Sequence, residues 1–238
     1  MQASRDESVG LEEQVYRHIR TALVEGVFAP GERLSIRRVA VSLGTSAMPV
    51  RSALRRLATE QALEIGPSGS ASVPRLTRAA FLELSAIRAE LEPLAVRLAA
   101  PHLLGGDLDR LGDLAKIHTD ARGHGDAEAL LRADREFLFK IYQTALAPLL
   151  LGLIEALWLR RGPVFWEARW MLVNQHGVGH RHEEIVASLR RGEVEAASGA
   201  LREEIQGATN YIAEHLSFAG DPRPAAHLQR IRSAEPKL

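Results

Sequence analysis

From Thr77 onward the apolar residues of this chain recur with the 3.6-residue period of a helix, and after Val73 no stretch alternates as a strand would. Phe81, Leu84, Ile87, Leu91, Leu94 and Leu98 form the first such stripe. Pro93 lies inside it and is expected either to kink the helix or to be absorbed by packing. Gly105-Gly106, His124-Gly125, Ala147-Pro148, Gly162-Pro163, Gly177-Val178-Gly179 and Gly192 punctuate the remainder of the chain. These spacings predict an antiparallel all-α bundle of six or seven helices over residues 76–218, with a flexible tail over 219–238.

The first seventy-five residues read differently. Leu11, Val15, Ile19, Ala22 and Leu23 predict a helix that Gly26 stops, and Pro30-Gly31 makes a turn. Ser35 can cap a second helix with Val39 and Leu43 inside, and Gly44 ends it. Ser46 can cap a third, with Pro49 tolerated in its first turn and Val50, Leu54 and Leu57 as its core stripe. Two short helices joined by Gly44-Thr45 form a helix-turn-helix. Leu63-Glu64-Ile65, Gly66-Pro67-Ser68-Gly69-Ser70 and Ala71-Ser72-Val73 then read as a small hairpin, a wing beside it. The fold class is thus mostly α: a winged helix-turn-helix of three helices plus a small β-wing over 11–75, preceded by a flexible stretch over 1–10, and then the bundle.

Composition narrows the function. The 238 residues are 46% hydrophobic and 25% charged, enough for a sizeable core. With no Cys there is no disulfide, thiolate metal site or Cys nucleophile. The polar start MQASRDESVG argues against secretion, and no stretch reaches the roughly 18 apolar residues of a membrane span, so a cytoplasmic protein is expected. Lys+Arg and Asp+Glu balance at 30 each. The balance is not local, however. Between Arg33 and Thr59 there is no acidic residue, while Arg33, Arg37, Arg38, Arg51, Arg55 and Arg56 all fall there. A one-sign window of this kind fits a polyanion, and Arg forks onto phosphate and guanine edges. For Arg55 and Arg56 a solvated helix face is an equal reading.

Polar residues interrupt the apolar faces of the second half. Asp134 lies in the stripe Leu130, Phe137, Leu138, Ile141; His182 lies in the stripe Ile185, Val186, Leu189. Glu204 sits beside the seam of the last helix, and Arg88 borders the first stripe. Buried charges are costly unless paired or metal-bound. Any one of them is most simply a satisfied core group; the set points to a polar pocket. His176 and His180, on the Gly-rich loop, are expected to face solvent.

The segment VYRHIRTALVEGVFAPGERLSIRRVAVSLGTSAMPVRSALRRLATEQALEI resembles the winged helix of GntR-superfamily transcription regulators, with PGERLS, SLGTS and PVRSALRRL as its specific parts. The resemblance implies that the helix opening near Ser46 enters the major groove and that Arg37 and Arg51 take DNA-contacting positions. The expected DNA-contacting set is Arg37, Arg38, Ser46, Met48, Arg51 and Arg55. Ala47 departs from the family, many of whose members carry Arg there, and Ser70 stands where a wing-tip Gly is common. IRAELEPLAVRLAA and HEEIVASLRRGEVEAA are similar to the FCD ligand-binding domain of the FadR branch, so the likeness spans about residues 10–217. Many FCD domains hold a divalent metal with one Asp and three His. By resemblance the Asp is Asp134 and one His is His182; Leu138 and Glu204 replace the other two. Asp134, His182 and Glu204 can still hold zinc or a similar ion with water completing the shell; a metal-free pocket is the equal alternative.

Together these readings describe a sequence-specific DNA-binding regulator rather than an enzyme: a metabolite-responsive repressor acting as a homodimer on double-stranded operator DNA. Its effector, a small carboxylate, is expected at Arg88, Asp134, His182 and Glu204. The rival is a metal-dependent enzyme built on the helical bundle, against which the missing His and absent Cys count.

Overall fold

The structure is a computed structural model and describes residues 2–66, 69–174 and 180–221. Residues 1, 67–68, 175–179 and 222–238 lie outside the described residues, and with them the readings made for Pro67-Ser68, His176, Gly177-Val178-Gly179 and most of the tail. The chain divides into two compact units, Met1–Arg75 with Glu155–Glu167, and Leu76–Ile154 with Ala168–Leu238.

In the first unit, α1 (Gln2–Val24) packs on α3 (Ala47–Thr59), which also packs on α2 (Ile36–Ser42). Val15, Ile19 and Leu23 of α1 and Val50, Leu54 and Leu57 of α3 are buried, as their periodicity requires. Ser35 caps α2 by accepting from Arg38 N at 3.4 Å, whereas Ser46 makes no capping hydrogen bond. The tight turn between α2 and α3 depends on Gly44, whose φ of 60° a side chain would strain. The wing is broader than a hairpin. Strand β3 (Ala71–Ser72) pairs with β2 (Glu64–Ile65) and also with β1 (Arg33–Leu34), all antiparallel. Two-residue strands carry too little alternation to be read from a sequence.

The second unit holds, among the described residues, α4 (Arg78–Ala99), a 3₁₀ turn (Ala100–His102), α5 (Gly105–Gly123), α6 (Ala127–Thr144), the two ends of α7 (Pro148–Val173), α8 (His182–Arg190) and α9 (Val194–His215). Helix α4 packs on α9 and α6, α5 on α6 and α8, and α8 on α9. Pro93 is absorbed within α4; its carbonyl accepts Ser198 Oγ at 3.1 Å.

Four expectations are corrected. The stretch 1–10 is helical from Gln2, because no residue before Gly10 breaks a helix and one Gly costs only about 1 kcal/mol. Gly162-Pro163 does not end a helix: α7 runs through it. Gly162 is there for close approach, since a Cβ at that position would collide with the carbonyl oxygen of Leu23. The tail is held as far as Asp221: Phe218 stacks on Phe81 at 5.2 Å, Ala219 N donates to Leu76 O, and Arg78 pairs with Asp221 at 2.7 Å. Finally, the inner face of α4 is Phe81, Leu84, Arg88, Ala89, Glu92, Ala95, Val96 and Ala99, while Ile87 and Leu98 are 42% and 40% exposed. A long helix carries more than one apolar row, and periodicity alone does not say which row is covered.

The Gly162 contact yields a stability test. Gly162→Ala should destabilise the protein by about 1–3 kcal/mol, because its methyl meets backbone rather than a movable side chain. Gly199→Ala, in open space on α9, should instead stabilise by about 1 kcal/mol. Urea denaturation of the two variants checks both signs.

Candidate nucleic-acid interface and buried polar centre

The arginines of the basic window separate into two kinds. Arg56 is engaged: it pairs with Glu13 at 2.6 Å, lies 3.5 Å from Glu60 and stacks 3.5 Å over the Tyr16 ring. Tyr16 in turn donates to Glu60 at 2.7 Å. This network ties α3 to α1. Arg37, Arg38, Arg51 and Arg55 are exposed and make no side-chain ion pair among the described residues. Ser46 is exposed and Met48 is 74% exposed at the start of α3. Ile36, Arg51, Leu54, Arg55, Ile65 and Gly69 line one groove between α2, α3 and the wing. All six residues expected to touch DNA thus lie on the surface. Arg33, likewise exposed, joins them through β1; it lies on no helix, so helical spacing does not single it out.

The second unit gathers Asp134 from α6, His182 from the first turn of α8 and Glu204 from α9. All three are buried, and one ligand atom from each lies within 4.8 Å of the others. His182 Nε2 is 3.1 Å from Glu204 Oε1 and 3.5 Å from Asp134 Oδ1. Neither contact has hydrogen-bond geometry, and both ring nitrogens of His182 are buried without a hydrogen-bond partner. The backbone N–H of Arg181 donates to Glu204 Oε2 at 2.8 Å, which leaves Oε1 directed at His182. Burial opposes charge on His182, but Glu204 and Asp134 outweigh it and lift the imidazole to about 10. Such a cluster suits either a charged His182 between the two carboxylates or a cation held by all three groups once His182 has lost its proton.

Arg88 and Glu92 form a second buried group. Arg88 Nε and Nη2 donate to the two Glu92 oxygens at 2.6 and 3.1 Å, and Tyr142 donates to Glu92 at 2.6 Å. Arg88 is 2% exposed and Glu92 fully buried. Burial works against the guanidinium, and Glu92, Tyr142 and Asp134 overcome it. Arg88 therefore sits in the electrostatic reach of Asp134 but turns its fork to Glu92.

Sequence reasoning missed two residues here. Tyr142 follows Leu138 by four on the stripe of α6. His118, 2% exposed, lies on the inner row of α5 with Leu111, Leu114, Ala115 and Ala121. Its ring centre is 4.5 Å from that of His182, which also stacks on Phe137 at 4.1 Å. Burial and the neighbouring His182 push His118 down to about 3, so it is neutral. The helical period of α5 would have found it. His180 is exposed as expected, and its ring lies 4.8 Å from His118.

Residues 83–207 match the FCD domain, and residues 11–73 match the bacterial regulatory proteins of the gntR family. The chain belongs to the GntR family. It carries the FCD domain of the FadR-like branch and is a DNA-binding transcriptional regulator. It is 37% identical over 155 residues to the HTH-type transcriptional regulator McbR of Escherichia coli (strain K12), a match covering 65% of this chain and 70% of that protein. It is 28% identical over 206 residues to the Nta operon transcriptional regulator of Aminobacter aminovorans, covering 83% and 97%. The solved structure of E. coli McbR/YncC superposes with a TM-score of 0.79 at 31% identity, over 87% of this chain and 99% of that one. A GntR regulator from Rhodococcus sp. RHA1 shares the fold at 22% identity, with a TM-score of 0.69 over 87% and 99%. These GntR relatives are regulators, not enzymes, which sets aside the enzyme alternative. No helix among the described residues is long and apolar enough to cross a membrane.

The Arg88–Glu92 pair makes a test of its own. Glu92→Gln removes the buried carboxylate paired with Arg88 and should cost about 3–5 kcal/mol of stability. Glu90→Gln, which removes an exposed partner of Arg202, should leave the urea transition unmoved.

Proposed function

We propose that this regulator is a metabolite-responsive repressor that binds a two-fold operator as a homodimer in the cytoplasm. The observation that carries the reading is the contrast between exposed arginines on the winged helix, which make no side-chain ion pair among the described residues, and a buried polar centre in the FCD domain whose His182 ring nitrogens have no hydrogen-bond partner there. The first addresses DNA and the second addresses a small molecule. In the DNA-bound state Arg51 and Ser46 would reach base edges from α3. Arg37, Arg38 and Arg55 would hold phosphates on either side.

The effector would be a small carboxylate bound at Asp134, His182 and Glu204, with Arg88 as the cation behind Asp134. Two carboxylates repel an anion, so a positive group must stand between them and the effector. His182 in its charged form can serve, or a divalent ion such as zinc. When bound, the ion would supply a positive centre able to accept an effector oxygen. Asp134, His182 and Glu204 would hold it, Glu204 being positioned by the Arg181 N–H. Binding to one dimer arrangement in preference to another would then shift the population that fits the operator.

A second copy has a surface to cover. Leu149 and Leu153 lie four apart on α7, with Leu146 just ahead of the helix, and they are 86, 56 and 71% exposed. They present on the order of 400 Å² of leucine surface, within the range of patches that mark contacts and about half of what each partner gives to a standard interface. A two-fold brings such a row against itself without any charge conflict.

Three measurements test the reading. In operator binding by gel shift or footprinting, Arg51→Ala should cost about 1–3 kcal/mol and relax sequence preference. Arg56→Ala should cost less and act alike on all sequences, since its guanidinium serves α1. Equal, sequence-independent losses would remove Arg51 from base readout. Leu149→Asp should give a monomeric mass by light scattering at micromolar concentration; a persistent dimer would move the contact elsewhere. A metabolite that both raises the melting temperature and releases DNA would identify the effector.

A further inference from the structure

The winged unit carries a hollow that DNA binding leaves unexplained. It lies between α1, the turn after it, β1 and α2, and has a volume of about 380 Å³. That is the size of a small-molecule pocket. Ile19 forms part of its floor, and Ala22, Phe28, Val39 and Leu43 line it half-buried. All of these residues belong to the first unit. Four apolar side chains left half-open around one hollow offer an apolar ligand the burial that the fold itself does not complete.

The rim decides what kind of ligand. Arg33 and Arg38 line it, both exposed, and neither side chain makes an ion pair or hydrogen bond among the described residues. Glu32 is the acid of the lining, and its Oε2 accepts from Ala29 N at 3.0 Å. Ser42 Oγ donates to the Val39 carbonyl at 3.0 Å, and His18 Nδ1 lies 2.8 Å from the Gln14 carbonyl, so both are turned to their own helices. Two guanidiniums against one carboxylate leave one positive charge to be met. We infer that the hollow binds a monocarboxylate with an apolar body. The body lies on Ile19, Phe28, Val39 and Leu43, and the carboxylate meets Arg33 and Arg38 in charge-assisted hydrogen bonds. A second negative charge on the ligand would face Glu32 and be repelled. The site has a consequence for DNA. Guanidiniums held by a ligand carboxylate are unavailable to phosphate, so the two compete within the winged unit, with no change required in the helical one. This consequence rests on the reading of Arg33 and Arg38 as DNA contacts; the pocket does not.

The test uses the full-length chain with labelled Ile, Leu and Val methyl groups, titrated with 4-butylbenzoate and followed by NMR. The methyl signals of Ile19, Val39 and Leu43 should shift together. Benzoate, which lacks the butyl body, should bind at least ten-fold more weakly. The uncharged 4-butylbenzamide should bind about ten-fold more weakly. Ser42→Glu sets a second acid on the exposed rim and should weaken the benzoate but not the benzamide. Ala22→Trp fills the hollow and should abolish the shifts while leaving operator binding unchanged; if it fails to fold, Ser42→Glu carries the test. No shift at these methyls, a benzamide that binds as tightly as the benzoate, or unchanged binding in both variants would overturn the inference. In operator titrations, 4-butylbenzoate should raise the apparent Kd of the wild type and not that of Ala22→Trp. Release that persists in Ala22→Trp would overturn the competition. A filled pocket that leaves DNA affinity unchanged would overturn the reading of Arg33 and Arg38 as DNA contacts while leaving the pocket standing.

Discussion

A guanidinium that is 2% exposed must be met where it lies, and this requirement organises the helical unit. Arg88 and Glu92 lie one turn apart on α4, so a carboxylate reaches the guanidinium within the helix itself. The pair can be buried only if α4 turns that row inward, and this brings Ala95, Val96 and Ala99 in with it. Tyr142 then reaches Glu92 from α6 at 2.6 Å and pins the second helix to the first. Asp134, two turns earlier on the same face of α6, follows the same orientation inward. The polar centre thus depends on the ion pair beside it. A bundle whose inner faces carry charge has fewer acceptable helix rotations than an all-apolar one.

The winged helix divides its arginines by a different rule. In a basic window, every guanidinium that finds a carboxylate is lost to an external polyanion. Glu13 and Glu60 capture Arg56 with the help of the Tyr16 ring. The remaining arginines of α2 and α3 face a surface with no acid between Arg33 and Thr59 to meet them. Exposed ion pairs contribute little stability. The arrangement is therefore better understood as selecting which charges remain available than as holding the unit together. Burial of Val15, Ile19, Leu23, Val50, Leu54 and Leu57 does that.

Much of this is legible in the sequence, for local reasons. Ser35 caps α2, Gly44 makes the turn, and the stripes of α1 and α3 are buried where the period puts them, because each depends on residues within a turn or two. Asp134, His182 and Glu204 are legible as charges on apolar faces. Less local features are not. Gly162 reads as a breaker and is instead a point of close approach to the carbonyl of Leu23, a residue far away along the chain. β1 has only two residues and gains its identity from β3. Ile87 and Leu98 read as core residues and are not, because α4 has two apolar rows and only its neighbours choose between them.

The linear order of residues by itself determined that there is a helix-turn-helix with a basic window and a helical bundle with polar groups turned inward. Both come from spacing along single helices, where neighbours three and four apart must share a face. It did not determine which inward groups meet. Whether Glu204 faces His182, whether Arg88 is satisfied by Glu92, and whether His118 stands beside them depend on how α4, α5, α6, α8 and α9 are rotated against one another. Those rotations are set by packing summed over whole helix faces, and no single stretch of chain contains that sum.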